Sequence, residues 1–327
     1  MLGRRSVLGR TAAAAGGLLG LRAGSARAAS FPAGPVRMIV GFPPGGGTDL
    51  VARAISRGLT DVLKTSFFVE NRPGAAGNIA AALVARAKPD GYTVLAINVP
   101  HVVNGSIYRS LPYDPLADFA PIAKVASTPM VLTVAQDSPI KDLQGLIAEA
   151  RAKPGQLTFS SGGTGTVEHL CGAVLGQQAK IDVTHVPYKG SGESLRDLIS
   201  GRISFGFNTM PSVLGFLRSG SLRPLAVASA SRMTLLPAVP TMVEAGLLDF
   251  ILTTWYGILA PKATPAAAIE IINAAVAAAL KTPAMEATLA QLGADAEFGS
   301  PEAFGAFMKA EAARFRIVVD ALDLHIE

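Results

Sequence analysis

Gly41-Phe42-Pro43-Pro44-Gly45-Gly46-Gly47-Thr48-Asp49 lies between a short apolar strand pattern (Val36, Met38, Ile39, Val40) and a stretch of helical period (Leu50, Ala54, Ile55, Leu59). Strand, glycine-rich turn and helix in direct succession are the building unit of an α/β fold with a mainly parallel sheet. A helix N-terminus carries backbone N–H groups without intrahelical partners and about half a positive charge, so this junction is a candidate anion site. The spacing Gly41-x4-Gly46 imitates a phosphate-binding P-loop, but Gly47 stands where that motif needs its lysine, and Thr48 does not replace it. A nucleoside triphosphatase is thereby excluded, and a site for a small carboxylate over Pro44, Gly45, Gly46, Gly47 and Thr48 remains. Asp49 admits two readings: a first-turn acid that favours the helix dipole and caps backbone N–H groups, or a cleft residue for the ammonium of an amino-acid ligand.

Outward from this junction, strand-length apolar runs alternate with helical patterns. Phe67–Glu70 reads as a strand, Ala76–Ala87 as a small-residue helix, and Tyr92–Ile97 as a strand after the turn Pro89-Asp90-Gly91. A second set begins near Pro129: strand Met130–Val134, helix Lys141–Lys153, strand Leu157–Ser160, helix Thr166–Gln178, strand Val183–Val186, helix Glu193–Ser200, strand Ile203–Phe207, helix Pro211–Arg218 and strand Leu222–Ser229. Thr264-Pro265 then reads as an N-cap followed by proline at the first helical position, and an amphipathic helix spans Pro301–Leu322. The expected organisation is two α/β domains, each a mainly parallel sheet flanked by helices. One comprises residues 29–129 with 245–327 and the other 130–244, with a ligand crevice between them.

The second domain repeats the strand–glycine–helix junction. Ser160-Ser161-Gly162-Gly163-Thr164-Gly165-Thr166 follows a strand and precedes a helix that opens with Glu168 and His169, and the loop holds no lysine or arginine. One such loop in each domain suits an anion held by backbone N–H and hydroxyl donors; the alternative is that both glycine runs only permit tight turns. Val186-Pro187-Tyr188-Lys189-Gly190-Ser191 is a third junction, with Tyr188 a candidate cleft residue, Gly190 a point of close backbone approach and Lys189 a rim charge. Asn208 ends an apolar strand, another place where a sheet meets a ligand.

The first 28 residues read as an address. Arg4-Arg5-Ser6-Val7-Leu8-Gly9 has the form of a twin-arginine-type export signal, Thr11–Leu21 is a short Ala/Gly/Leu-rich run, and Ala26-Arg27-Ala28 offers a cleavage site that leaves Ala29 at the mature N-terminus. That run is shorter than the about 20 apolar residues a membrane span needs. The expected location is the periplasm. This segment holds five of the 29 basic residues and no acid, which accounts for the whole net charge of +5. The remaining chain has as many acids as bases, so nothing points to nucleic acid or an anionic membrane surface.

Catalytic arrangements are hard to assemble. Cys171 is the single cysteine, which excludes an internal disulfide, and the four histidines have no metal-ligand spacing. There is no GxSxG elbow and no GxGxxG fingerprint. The one nucleophile–base pair to be constructed is Ser161 with His169, eight residues apart, which would make a periplasmic hydrolase; His169 reads better as a polar residue in the first turns of a helix between the domains. No cofactor or metal is expected.

Several pieces, taken in order, resemble a known family over the whole mature length. They are Gly41–Asp49, Glu70-Asn71-Arg72-Pro73-Gly74-Ala75-Ala76-Gly77, Pro89-Asp90-Gly91-Tyr92-Thr93, Leu111-Pro112-Tyr113-Asp114-Pro115, Asp118-Phe119, Ser160-Ser161-Gly162 with Gly165-Thr166, and His185-Val186-Pro187-Tyr188-Lys189-Gly190 with Gly192. The chain resembles the Bug-type periplasmic solute receptors, the extracytoplasmic component of tripartite tricarboxylate transporters. The resemblance implies a type II periplasmic-binding-protein fold, two domains closing on a ligand, and no enzymatic activity. It also implies a monomer that takes a di- or tricarboxylate, an acidic amino acid or an aromatic acid and presents it to a membrane permease, or alternatively to a sensor kinase. It places ligand contacts on Pro44–Asp49, on Ala75 and Ala76, and on Asn98. In the second domain it adds Ser160, Ser161, Gly162, Thr166 and the Tyr188–Gly190 junction, beside His169 and Asn208, which are candidates from their own places at a helix start and a strand end. The run Asn98-Val99-Pro100-His101 departs from the family's pattern of small residues before a Thr-His pair, a point where specificity is expected to differ.

Overall fold

The computed structural model describes residues 31–326, so the expected export signal and its cleavage site lie outside the described residues. The chain opens with β1 (Val36–Val40), α1 (Gly47–Leu63), β2 (Phe67–Asn71), α2 (Asn78–Ala85), β3 (Thr93–Asn98) and α3 (Pro100–Ile107). β1 lies between β2 and β3, parallel to both. Helices cover both of its faces: Met38 and Val40 pack with Val51, Ile55 and Leu59 of α1, while Ile39 packs with Ala80, Ala81 and Val84 of α2. A strand buried on both faces has no polar side to show, which is why β1 is almost continuously apolar.

β4 (Phe119–Ala135) follows, then α4 (Leu143–Ala152), β5 (Thr158–Ser161), α5 (Val167–Ala179), β6 (Thr184–Pro187), α6 (Ser191–Ile199), β7 (Phe205–Thr209), α7 (Met210–Arg218) and β8 (Leu222–Val227). The chain ends with β9 (Thr253–Pro261), α8 (Ala266–Leu280), α9 (Pro283–Leu292), the two-residue β10 (Asp295–Ala296) and α10 (Pro301–Ala321). At 17 residues β4 is about three times the usual strand length and serves two sheets. Phe119–Pro129 pair antiparallel with β9, giving the order β2-β1-β3-β9-β4, and Met130–Ala135 pair antiparallel with β7 and β8. Pro129, with no N–H to donate, stands where the partners change. Within the second sheet β5 lies between β6 and β7, parallel to both. The chain recrosses at Leu252, whose N–H donates to Ala228 (3.0 Å) and whose carbonyl accepts from Met130 (3.3 Å). Each lobe is thus an α/β sheet, parallel toward its outer edge and antiparallel where β4 and β9 pass, as in a type II periplasmic-binding-protein fold.

Four elements have no counterpart in the sequence periodicity: α3, β9, α9 and the short β10. β9 is buried from Thr254 to Pro261, an apolar run without a period to read. Met130–Val134 is the inner end of β4 rather than a separate strand, because Pro121 and Pro129 sit inside the longer strand. Thr264 does not cap α8; the helix starts after Pro265, and the Thr264 hydroxyl is buried without a partner. The segment Ala75–Gly77 forms a 3-10 turn before α2 rather than the start of that helix. Cys171 is fully buried, and burial pushes its thiol pKa well up.

The single tryptophan ties the last helix to the first sheet. Trp255 Nε1 donates to Glu311 Oε2 (2.9 Å), and Arg314 donates to both oxygens of the same carboxylate. Beside it Gly257 leaves room for Phe304: a methyl there would lie 2.1 Å from the ring. Gly257→Ala is therefore expected to cost about 1–3 kcal/mol by overpacking, read as a lower urea midpoint at unchanged slope; an unmoved midpoint would show that α10 can shift away freely.

Candidate ligand-binding site

The first loop is held from behind by Asp49. Its carboxylate is 2% exposed; Oδ2 accepts from the Gly45 N–H (2.9 Å) and from Arg53 Nε (3.0 Å), and Oδ1 accepts from Asn71 Nδ2 (2.8 Å). Arg53 also closes an ion pair with it at 2.9 Å, and Asn71 reaches on to the carbonyl of Phe42 (2.9 Å). Burial pushes the Asp49 pKa up, but the donors from Arg53, Gly45 and Asn71 outweigh it and hold the group below the usual carboxylate range. Every strong acceptor position of Asp49 is occupied by the protein. It shapes the loop and presents no free oxygen.

Next to this loop, Ala75 and Ala76 both adopt the left-handed region (φ 47° and 50°), a strain of order 1 kcal/mol each for a non-glycine residue. Gly41 allows the two turns to meet, since a methyl there would lie 2.7 Å from Gly77 Cα. The Ala76 carbonyl accepts from Asn104 Nδ2 (3.2 Å), and Asn98 ends β3 half-buried.

The second loop is fixed by neutral groups. Ser161 Oγ lies 2.7 Å from His185 Nε2 and accepts from the Gly163 N–H (3.1 Å); Thr166 Oγ1 donates to the Gly163 carbonyl (2.7 Å). The Gly165 N–H donates to His169 Nδ1 (3.2 Å), and the His169 and His185 rings stack at 4.0 Å. Burial pushes both histidines down, His169 to about 4 and His185 to about 3, the latter helped by its neighbour, so both are neutral. The partner of Ser161 is therefore His185 and not His169, whose Nδ1 is taken by Gly165. Ser160 is buried beside Gly206. Asn208 is turned into the second sheet, where its Nδ2 donates to Thr133 Oγ1 (2.9 Å), and the Tyr188 hydroxyl donates to Asp197 (2.7 Å).

The two lobes face one another through these loops. Methyls built on Gly190 and Gly47 would lie 2.6 Å from the Pro43 ring and 2.4 Å from Thr209 Oγ1, respectively. A methyl on Gly165 would lie 3.2 Å from Asn104 Oδ1. Four helices begin around this space, α1 after Gly46, α5 after Thr166, α6 after Gly190 and α7 after Thr209, and none has a side-chain cap. Asp142, Thr282 and Ser300 cap α4, α9 and α10, while α2, α3 and α8 also lack a side-chain cap. Uncapped first-turn N–H groups are donors left for another acceptor.

Comparison with known proteins bears on what fills such a space. The profile described as "Tripartite tricarboxylate transporter family receptor" matches residues 51–324. The chain belongs to this family. Protein BugT of Bordetella pertussis is 37% identical over 292 residues, 89% of this chain and 90% of BugT. Rpa4515 of R. palustris, solved with adipate, superposes with a TM-score of 0.87 at 35% identity over 90% of this chain and 98% of its own. MatC from Rhodopseudomonas palustris, solved with bound malate, gives 0.84 at 31% identity over 88% and 100%. Members of this receptor family are periplasmic solute-binding proteins, not enzymes.

Around the cleft the structure adds residues that are not among the sequence candidates: His185 behind Ser161, Asn104 on α3, Tyr256 on β9 and Thr209 at the start of α7. His185 and Tyr256 arrive by strand pairing between distant segments, Asn104 is held by the Ala76 carbonyl, and Thr209 ends β7 beside Asn208.

Two expectations follow from this geometry. Asp49→Asn removes the charge facing Arg53 and turns an amide N–H toward one of three donors, at a cost of about 2–4 kcal/mol in unfolding free energy; a midpoint within 0.5 kcal/mol of wild type would remove Asp49 from its framing role. The second concerns pH. His101, His169 and His185 have folded pKa values of about 4, 4 and 3, below the ordinary 6.5, so the unfolded chain binds protons that the folded one refuses. Stability is then full above about pH 6.5 and falls as pH drops toward 4, by roughly 1 kcal/mol per pH unit for each histidine. Urea midpoints between pH 7 and 4.5 check this, and His169→Gln is expected to flatten the slope.

Proposed function

We propose that this chain is an extracytoplasmic receptor that captures a small carboxylate between its two lobes and hands it to the permease of a tripartite tricarboxylate transporter. The observation that carries the reading is the meeting of uncapped helix starts across one space, with no lysine or arginine in either glycine loop. Removing a carboxylate from water costs several kcal/mol unless hydrogen bonds replace its hydration, and backbone N–H groups at helix starts supply them. Adipate and malate, the ligands of the two solved relatives, are small carboxylates.

In this reading Pro44–Thr48 with Ala75, Ala76 and Asn98 form the wall contributed by residues 29–129 and 245–327. Ser160, Ser161, Gly162, Thr166 and Gly190 form the wall contributed by 130–244. Asp49, His169, Tyr188 and Asn208 act by positioning their neighbours. A twin-arginine-type signal cleaved near Ala28 takes the folded monomer to the periplasm. The lobes hinge, and the ligand shifts that equilibrium by its preference for the closed arrangement.

A thermal-shift and calorimetry panel of adipate, malate, citrate and related acids tests the binding. A ligand at a hundred times its Kd adds about 2.7 kcal/mol of stability, and no shift across the panel would sink the reading. Closure has its own probe. Gly190 is fully extended (φ 168°, ψ 169°), a conformation open to any residue, so Pro43 across the cleft is the obstacle to a methyl group. Gly190→Ala is expected to weaken binding about tenfold or more while leaving the stability of the free protein within about 0.5 kcal/mol. Unchanged affinity would show that the Pro43–Gly190 approach is not part of the bound state.

A further inference from the structure

Among the described residues four buried side-chain atoms have no hydrogen-bond partner, and one of them, the Tyr256 hydroxyl, lies where two helix starts meet across the lobes. A methyl built on Gly47, the first residue of α1, would lie 2.8 Å from that hydroxyl and 2.4 Å from Oγ1 of Thr209, the residue before α7. Neither helix has a side-chain cap, so the first-turn N–H groups of both open onto the same spot. Burial pushes the phenol pKa upward against the opposing effect of Thr209, and the hydroxyl keeps its proton. Thr209 adjoins it without forming a hydrogen bond: its own hydroxyl is turned to Ser212 Oγ (3.1 Å).

The sheet fixes where this hydroxyl sits. Tyr256 stands inside the first sheet, opposite Asn98 of β3 on one side and Ala126 of β4 on the other. Residues directly opposite in an antiparallel pair share a face, so Tyr256 shares one with Asn98, a candidate wall residue. Its ring belongs to the apolar cluster that holds Val40, Ala96, and Val51 and Ile55 of α1, and the whole residue is 2% exposed. A phenol anchored in this way cannot swing out to water, and an unmet hydroxyl at such depth is costly until something completes it. The N–H groups at the two helix starts are donors, as the phenol is, so the missing partner is an acceptor. Phenylalanine would fill the same core space and leave no polar atom unmet.

Resting on the receptor reading above, we propose that Tyr256 is a ligand-contacting residue whose hydroxyl donates to an oxygen of the carboxylate held at the start of α1. A hydrogen bond to an ionised acceptor is roughly twice as strong as one between neutral groups, so this single donor carries a large share of the anion's recognition. It differs in kind from the loop donors. The N–H groups of Gly45–Thr48 move with their loop, whereas the phenol is placed by strand pairing, and it sets how deep the carboxylate sits.

The test is calorimetry of adipate, malate and citrate on the mature protein and on Tyr256→Phe, together with the melting temperature of each free protein. Any acid that binds the wild type is expected to bind Tyr256→Phe about tenfold or more weakly. The free variant is expected to melt no lower than the wild type, because the hydroxyl it loses has no partner there. A hydroxyl that serves only the fold gives the reverse pattern, a lower melting temperature with unchanged affinity, and that overturns the proposal. Unchanged affinity at any melting temperature overturns it as well and leaves the receptor reading standing. A second readout needs no variant: the bound acid is expected to shift the ultraviolet band of tyrosine in the wild type, and a band unmoved at saturation overturns the contact. If none of the acids binds the wild type, the receptor reading falls and the contact falls with it.

Discussion

One buried carboxylate, Asp49, sets the geometry on which the first wall of the cleft depends. In the proposed reading this loop offers backbone N–H groups to a ligand, and it cannot also use them to hold itself in shape. The fixing must come from behind, and Asp49 supplies it by gripping the Gly45 N–H, Asn71 and Arg53 together. Its negative charge would oppose an anion in the cleft, and the ion pair with Arg53 largely cancels that field. The second wall solves the same problem without charge. His185, His169 and Thr166 hold Ser161, Gly165 and Gly163, and burial keeps the imidazoles neutral. One loop thus has a framework built on a carboxylate held below its usual pKa range, while the other loses an acceptor once His169 is protonated.

The connection between the lobes follows from β4 and the recrossing at Leu252. A 17-residue strand hydrogen-bonded at both ends to different sheets is stiff along its length. The hinge motion proposed above would be absorbed where the pairing changes, at Pro129–Met130 and near Leu252. Pro129 leaves one ladder position without a donor, so a change of twist there breaks no backbone hydrogen bond that the strand had made. Both crossings are antiparallel neighbours, which accounts for the mixed sheets found where alternating β and α patterns alone imply parallel ones.

The sequence carries the fold in its glycine junctions. The run Gly41–Asp49 places a strand, a turn and a helix correctly, and Ser160–Thr166 does so again, because a tight turn into a helix start needs particular residues at particular positions. It does not carry β9, whose buried apolar run has neither alternation nor helical period, or the full length of β4, which two internal prolines disguise. In the site, the backbone loops are legible and the side chains behind them are not. His185 meets Ser161 because β6 pairs parallel with β5, Tyr256 reaches Gly47 because β9 returns beside β3, and Asn104 is oriented by the carbonyl of Ala76. Each is a consequence of register between distant segments, and a single sequence read along its length holds no period or spacing that encodes it.

In the proposed hinge reading, the groups where the lobes meet bear on how firmly they shut unaided. Among the contacts across the cleft, backbone at Gly47, Gly165 and Gly190 is set against the Pro43 ring, Thr209, Asn104 and the Tyr256 hydroxyl, and Ile107 also lies against Gly165. Asn104 Oδ1 and the Tyr256 hydroxyl are buried there without a hydrogen-bond partner, which in the proposed hinge reading weighs against an empty closed form. A molecule that satisfies those atoms removes the cost only in the closed form, and this differential is what moves a two-state equilibrium. In the proposed reading, glycine at the meeting points keeps the approach close enough for the helix starts of both lobes to reach one small ligand.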